Sequence, residues 1–310
     1  MTASPALAAP VARDAARPRR LEPRALLLAG AAVAGASLLV ALVGLAVDPR
    51  AIQGAPAWLK PAKFGISITL YLLTLQWMLS FVRGHRRLLL AMSGVILVGL
   101  TAEIVLIDLQ VLRGTTSHFN ETTPFDTIVF ESMGGLISTV FLATVVVAVL
   151  VLRMRGLDAG LAAGIRWGLV LTLVGMLEAG LMIANTGWNP AGGHTVGAPD
   201  GGPGLPLTDW STLHGDLRIG HFLGLHALQA LPILAWLLGR FSPFDERTRV
   251  RLLRVAAAGT AGLMALVTWQ ALRGQALLAP DALTLGSAAA LVAVVATAGG
   301  LVLRRRAAAR

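Results

Sequence analysis

The chain has 310 residues, of which 55% are hydrophobic and 14% charged, with a net charge of +10. It has no cysteine, which excludes disulfides, Cys-ligated zinc and iron–sulfur clusters. The basic balance is no nucleic-acid footprint, because 20 of the 26 Lys and Arg fall in every second inter-span segment. That alternation is the positive-inside signal of a multi-pass membrane protein.

In chain order, residues 1–24 are rich in Ala, Pro and Arg and read as a disordered cytoplasmic tail. The "RPRR" ahead of the first apolar run resembles a twin-Arg export signal. That run is about 23 residues, too long for a signal-peptide core, so an uncleaved anchor is expected. Eight membrane spans are predicted over 25–47, 64–82, 88–112, 126–152, 164–186, 218–239, 251–272 and 282–303. The fold class is an all-α polytopic membrane protein with both termini cytoplasmic. The Ala, Arg and Leu bias is that of a high-GC bacterium, which places it in the bacterial inner (plasma) membrane. It also removes weight from the glycosylation sequon "NET" at Asn120.

Three pairs of short motifs recur in order. "QVLRG" (Gln110–Gly114) returns as "QALRG" (Gln270–Gly274), and "KPAKF" (Lys60–Phe64) as "RIGHF" (Arg218–Phe222). "TPFDT" before span four answers "APDALT" before span eight. The expected organisation is a tandem duplication of four spans, 25–152 and 153–310. An even number of spans gives both halves one orientation, related by an axis along the membrane normal. Arg113 is then matched with Arg273, Lys63 with His221 and Lys60 with Arg218. The outer loop 187–217 departs from the repeat. Its eight Gly and four Pro predict no regular structure, while Trp188, His194, Trp210 and His214 point to a packed lid.

Span six carries Arg218, His221, His226 and Gln229 on one arc of about 140°. Glu103 and Gln110 share a face of span three, Glu178 and Asn185 of span five, Lys63, Ser67 and Thr74 of span two, and Glu131 and Ser138 of span four. Such residues inside hydrocarbon face a polar interior or one another. Asp108 lies on the opposite face of span three, placed to pair within its own half. Only Lys60 and Lys63 interrupt the otherwise all-Arg usage, which hints at compact point charges near a ligand.

These residues predict an outward-facing site for an anionic or amphipathic small molecule. Lys60, Lys63, Arg113, Arg218, Arg273, Gln229 and Asn120 are its ligand-binding candidates, with Arg113 and Arg273 as a guanidinium clamp. His221, His226, Glu103, Glu131 and Glu178 are the catalytic candidates, and His118, His221 and His226 the metal or haem ligands. The leading expectation is a membrane-embedded enzyme using haem b or a divalent metal. The alternative is a proton-coupled transporter in which Glu103, Glu131, Glu178 and His226 relay protons. A third reading is a sensor or assembly subunit without chemistry. The lipid bilayer is the expected partner; nucleic acid is not.

Eight spans in two four-helix halves resemble haem A synthase in architecture. That family spreads its His ligands over both halves, whereas spans two and eight here have none, so the similarity carries no ligand assignment. "KPAKF", "RGTTSHFN", "TPFD" and "GDLRIGHFLGLHALQ" also resemble uncharacterised eight-span bacterial membrane proteins with no assigned activity, which implies the architecture alone.

Overall fold

The computed structural model describes residues 21–308, with side chains to Arg305. Most of the expected N-terminal tail lies outside the described residues. Among the described residues eight helices are long and apolar enough to cross a membrane: α1 (Pro23–Val47), α2 (Leu59–Leu79), α3 (Arg86–Leu112), α4 (Pro124–Leu152), α5 (Ala159–Ala184), α6 (Arg218–Phe241), α7 (Glu246–Leu272) and α8 (Ala282–Ala308). Three begin well before the boundary that hydropathy predicts, among them α7, which Asp245 caps by accepting from Thr248 N at 3.3 Å. α2 starts at Leu59 because Pro61 falls in the first turn, where a missing N–H costs nothing. α5 starts at Ala159 because the Asp158 side chain caps it, accepting from Leu161 N at 3.0 Å.

The loops at the end of the bundle opposite its arginine-rich end are ordered. β1 (Ala51–Ile52) pairs antiparallel with β2 (Ala55–Pro56) between α1 and α2. Loop 187–217 was expected to lack regular structure. Instead, β3 (Thr195–Val196) pairs antiparallel with β4 (Gly215–Asp216), and Gly204 bridges Ser211. Two residues per strand are too short for a periodicity to register in the sequence, and the glycines serve the turns between them.

α1 packs on α2 and α3, and α3 on α4; α5 packs on α6 and α7, and α7 on α8. Contacts of α2 with α6 and α4 with α5 are sparser and join the two groups. The tightest crossing, α5 with α6, depends on small residues that let backbones meet. A Cβ on Gly175 would stand 2.7 Å from Gly224 Cα, and one on Gly164 or Gly168 would meet the Leu231 or Ala227 carbonyl at 2.7 or 2.8 Å. Between them Thr172 Oγ1, fully buried, donates to Gly224 O at 3.1 Å.

Core packing is uneven along the membrane normal. The largest apolar cluster joins Leu27, Leu72, Leu75, Met78, Ile96, Val147, Val151, Ile165, Leu169 and Leu228. Nearly all of these lie toward the arginine-rich end of the bundle. The polar side chains of α2 and α6 lie toward the other end. Large apolar residues such as Leu39, Val43, Leu142, Leu237 and Val292 cover the outside, as lipid contact requires.

Two outcomes follow from this packing. Gly175→Ala should destabilise the protein by about 1–3 kcal/mol through overpacking, while Gly180→Ala, with open space around it, should be neutral; thermal unfolding in detergent distinguishes them. Ser117 and Ser211 are buried, so the exposed Glu121 and Leu213 are the positions to test sidedness. Single cysteines there should label from outside the cell, and cysteines at Gly84 and Asp245 should be protected; the reverse pattern would invert the topology.

Candidate functional site

Helical spacing aims Lys63, Ser67 and Thr74 of α2 at the polar arc of α6, and the two faces meet. Ser67 Oγ lies 3.5 Å from His226 Nε2, and Gln229 Nε2 donates to Thr74 Oγ1 at 3.2 Å. Gln229 Oε1 is buried without a partner. Lys63 Nζ donates to the Thr208 carbonyl of the lid at 2.8 Å. Leu207 and Asp209, on either side of Thr208, both have positive φ (67° and 57°), so a tight turn presents that carbonyl. From Leu59 to Thr74 the seam runs about 22 Å along α2, most of a bilayer core.

At the outer end of the seam, α3 contributes Glu103, only 3% exposed. Its Oε1 lies 3.3 Å from His118 Nε2, and its Oε2 has no hydrogen-bond partner. His118, in the α3–α4 loop, has Nδ1 at 3.0 Å from Ser117 Oγ and its ring against Phe64 and Phe119. Burial, helped by the nearby Lys60 charge, pushes the His118 pKa down against the opposing pull of Glu103. A neutral His118 donates Nε2–H to Glu103 and accepts from Ser117. Lys60 Nζ lies 6.0 Å over the Phe64 ring, within electrostatic reach of Glu103, Arg218 and Asp200, and makes no hydrogen bond or ion pair among the described residues.

His221 Nδ1 is 2.6 Å from the Gly175 carbonyl, so that nitrogen carries the proton and Nε2 keeps its lone pair when the ring is neutral. His221 lies within electrostatic reach of His118 and His226, and the His226 ring packs at a tilt against Phe222 with centroids 4.3 Å apart. The structure thus brings Lys60, Lys63, Glu103, His118, His221, His226 and Gln229 together.

Arg218 faces the same region, but its fork is already occupied. Its Nη2 lies 2.7 Å from Asp216 Oδ2 and its Nη1 3.2 Å from Asp209 Oδ2. Asp216, 1% exposed, also accepts from Ser211 N at 2.9 Å. Burial pushes this carboxyl up, but the hydrogen bonds and charge of Arg218 outweigh it and hold the group below its usual range. Asp200 closes the lid on the other side, accepting from the backbone of His194 and Thr195 and lying 3.3 Å from His194 Nδ1. Burial, with the Arg218 charge, lowers the His194 pKa. Arg218 therefore fastens the lid, and Asp200, Asp209 and Asp216 are residues that sequence reasoning missed.

Arg113 and Arg273, expected to clamp a ligand, are each held by an aspartate. Arg113 Nη1 lies 2.5 Å from Asp126 Oδ1 and its guanidinium covers Phe125. Gln110 Nε2 reaches the same oxygen at 2.8 Å. Arg273 pairs with Asp281, donates to Thr284 Oγ1 at 2.9 Å and covers Trp269. Each guanidinium locks a helix end to the start of the next helix: Arg273 uses both Nη atoms on Asp281, and Arg113 uses Nη1 on Asp126 and Gln110. The missed signal was the Asp in "TPFDT" and "APDALT". Asn120 is likewise engaged, bonding Thr115, Thr116 and Thr122 within its own loop. Glu131 is exposed on the outward face of α4, away from the seam. Glu178 sits at the α5–α6–α7 crossing, where Thr268 Oγ1 donates to its Oε1 at 3.0 Å and Oε2 is unpartnered. The three expected ligands His118, His221 and His226 do not form a metal centre: among the described residues no three His, Asp or Glu converge to hold an ion.

No family model, curated protein or solved structure matches the chain.

The lid's electrostatics predict its stability. Asp216→Asn leaves Arg218 half-paired and should cost about 3–5 kcal/mol, read as a lower thermal midpoint and new proteolytic cuts between residues 197 and 213. His194 has a lowered pKa when folded, so below its ordinary 6.5 the unfolded chain binds more protons. Stability should be full above that pH and fall as pH drops beneath it. His194→Gln should flatten that slope; an unchanged pH profile would remove His194 as its cause.

Proposed function

We propose that the chain is a multi-pass protein of the bacterial inner membrane that admits an anionic or amphipathic small molecule to the α2–α6 seam from the outer side and exchanges a proton with it. Transport of the anion together with a proton is the reading the geometry supports best. The observation that carries it is Glu103: buried, with one oxygen on His118, the other without a partner, and the unpaired Lys60 ammonium nearby. An anion drawn to Lys60 would lie beside a carboxyl–imidazole pair able to give or take a proton. The apolar cluster across the arginine-rich half supports closure of the seam at that end.

The tandem 4+4 architecture, with both termini cytoplasmic, belongs to the same proposal. Its support is the like packing order within each half and the matched helix ends. Gly114 and Gly274 have φ of 75° and 71°, Thr115 N donates to Gln110 O at 3.0 Å, and Gln275 N to Gln270 O at 3.2 Å. Contacts between the halves are sparse, polar along the α2–α6 seam and apolar toward the arginine-rich end, which suits one unit rocking against the other about that end.

A haem-dependent enzyme has one observation in its favour. His221, with Nδ1–H on a backbone carbonyl, has the second-shell arrangement of an axial ligand. The expected partner His118 has its Nε2 turned to Glu103, so the pair does not fit a haem between them.

Three measurements on the purified protein test the reading. Its absorption spectrum and metal content should show no Soret band and no stoichiometric metal. Inorganic phosphate or octanoate should raise its thermal midpoint, and Lys60→Gln should weaken that binding about 10–100-fold, as loss of a charged hydrogen bond of about 1.5–3 kcal/mol implies. In proteoliposomes Glu103→Gln should keep the thermal shift and lose anion-driven proton movement. A Soret band would favour the haem enzyme, and undiminished binding by Lys60→Gln would remove the anion seat.

A further inference from the structure

The opposite end of the bundle holds a second, unassigned concavity. A depression of about 260 Å³ lies between the start of α5 and the start of α7, lined by Ala159, Glu246, Arg247, Val250, Arg251 and Arg254. Glu246, itself part of the lining, accepts from Ala159 N at 2.9 Å, and the neighbouring Arg249 is tied to Asp158 at 2.9 Å. Arg247, Arg251 and Arg254 are exposed and have no hydrogen-bond or ion-pair partner among the described residues. Their spacing of four and then three residues places them on one face. They occupy the first turns of a 27-residue helix, whose dipole presents positive charge there, so three unpaired cations add to an unfavourable field. An anion is the missing complement.

The depth and the continuation of this face say which anion. The apolar part of α7, Val255–Leu272, is 18 residues, or about 27 Å, close to a bilayer core. The three arginines therefore sit at headgroup level. Continuing by steps of four and three, the same face carries Ala258, Ala261 and Ala265, all exposed small apolar residues. A free phosphate or an acidic peptide would use the arginines and leave this stripe unused; a phospholipid uses both. We propose that this face is a seat for one anionic phospholipid. Its phosphodiester is held by Arg247, Arg251 and Arg254 in the depression, and an acyl chain lies along Ala258, Ala261 and Ala265. A topology signal alone needs only net positive charge, with no concavity and no apolar track.

Native mass spectrometry of the full chain, exchanged from mixed micelles of phosphatidylglycerol and phosphatidylcholine, tests this. One phosphatidylglycerol per chain should be retained with at least tenfold preference. The Arg251→Gln/Arg254→Gln double variant should lose at least tenfold in retention, while Arg83→Gln/Arg87→Gln, at exposed arginines of the same end, should not. Equal retention of the two lipids by the unaltered protein would overturn the proposal without recourse to any variant. So would undiminished phosphatidylglycerol on the double variant, or its displacement by millimolar inorganic phosphate, which would make the seat one for a small anion.

Discussion

Hydrocarbon offers no hydrogen-bond partner, so each polar group carried into a membrane span must find one inside the protein or lie on a water-facing path. The α2–α6 seam is where this chain concentrates such groups. Lys63 finds the Thr208 carbonyl, and Thr74 receives Gln229. Ser67 and His226 face each other at a looser 3.5 Å. On other faces of the same helices, and onward to the arginine-rich end, Leu72, Leu75, Met78 and Leu228 pack into the main apolar cluster. One end of the bundle is thus held by dispersion and close packing, the other by directional bonds that leave several acceptors unfilled.

Arginine and lysine divide the outer surface by chemistry. Arg218 and Arg273 each lay two guanidinium nitrogens on one aspartate, Arg113 reaches its aspartate through Nη1 alone, and each bond ties a loop to a helix end. Planar pairing suits a structural joint because it fixes orientation as well as distance. Lysine fixes neither so firmly, and Lys60, within electrostatic reach of Glu103, has no hydrogen-bond or ion-pair partner among the described residues. At this end of the bundle the aspartates engage the guanidiniums, and Glu103 Oε2 beside Lys60 is left without a hydrogen-bond partner among the described residues.

The lid links these two roles. β4 brings Asp216 to the edge of the seam, where Arg218 joins it and Asp209 to the first turn of α6, while Asp200 holds the start of β3 through His194 and Thr195. The lid also offers the Thr208 carbonyl to Lys63 of α2. A loop fastened both to α6 and to α2 couples the two sides of the sparse interface. Any movement of one side against the other must therefore break or carry lid contacts.

The sequence by itself determined the eight apolar helices, because hydrophobic length is a property of each segment alone. It also determined the polar faces of α2 and α6, since helical periodicity places a side chain relative to its own axis. The placement of Asp108 within its own half was legible in the same way, and Ser37 of α1 meets it at 2.8 Å. Periodicity does not say which neighbour a face will meet. Only the tertiary structure turned Glu131 outward, set Glu103 against His118, and gave Arg113, Arg218 and Arg273 to Asp126, Asp216 and Asp281. Lone aspartates in loops carry no period. Their partners are chosen by where the chain turns, and an ion pair forms only where two turns bring opposite charges within a few ångströms.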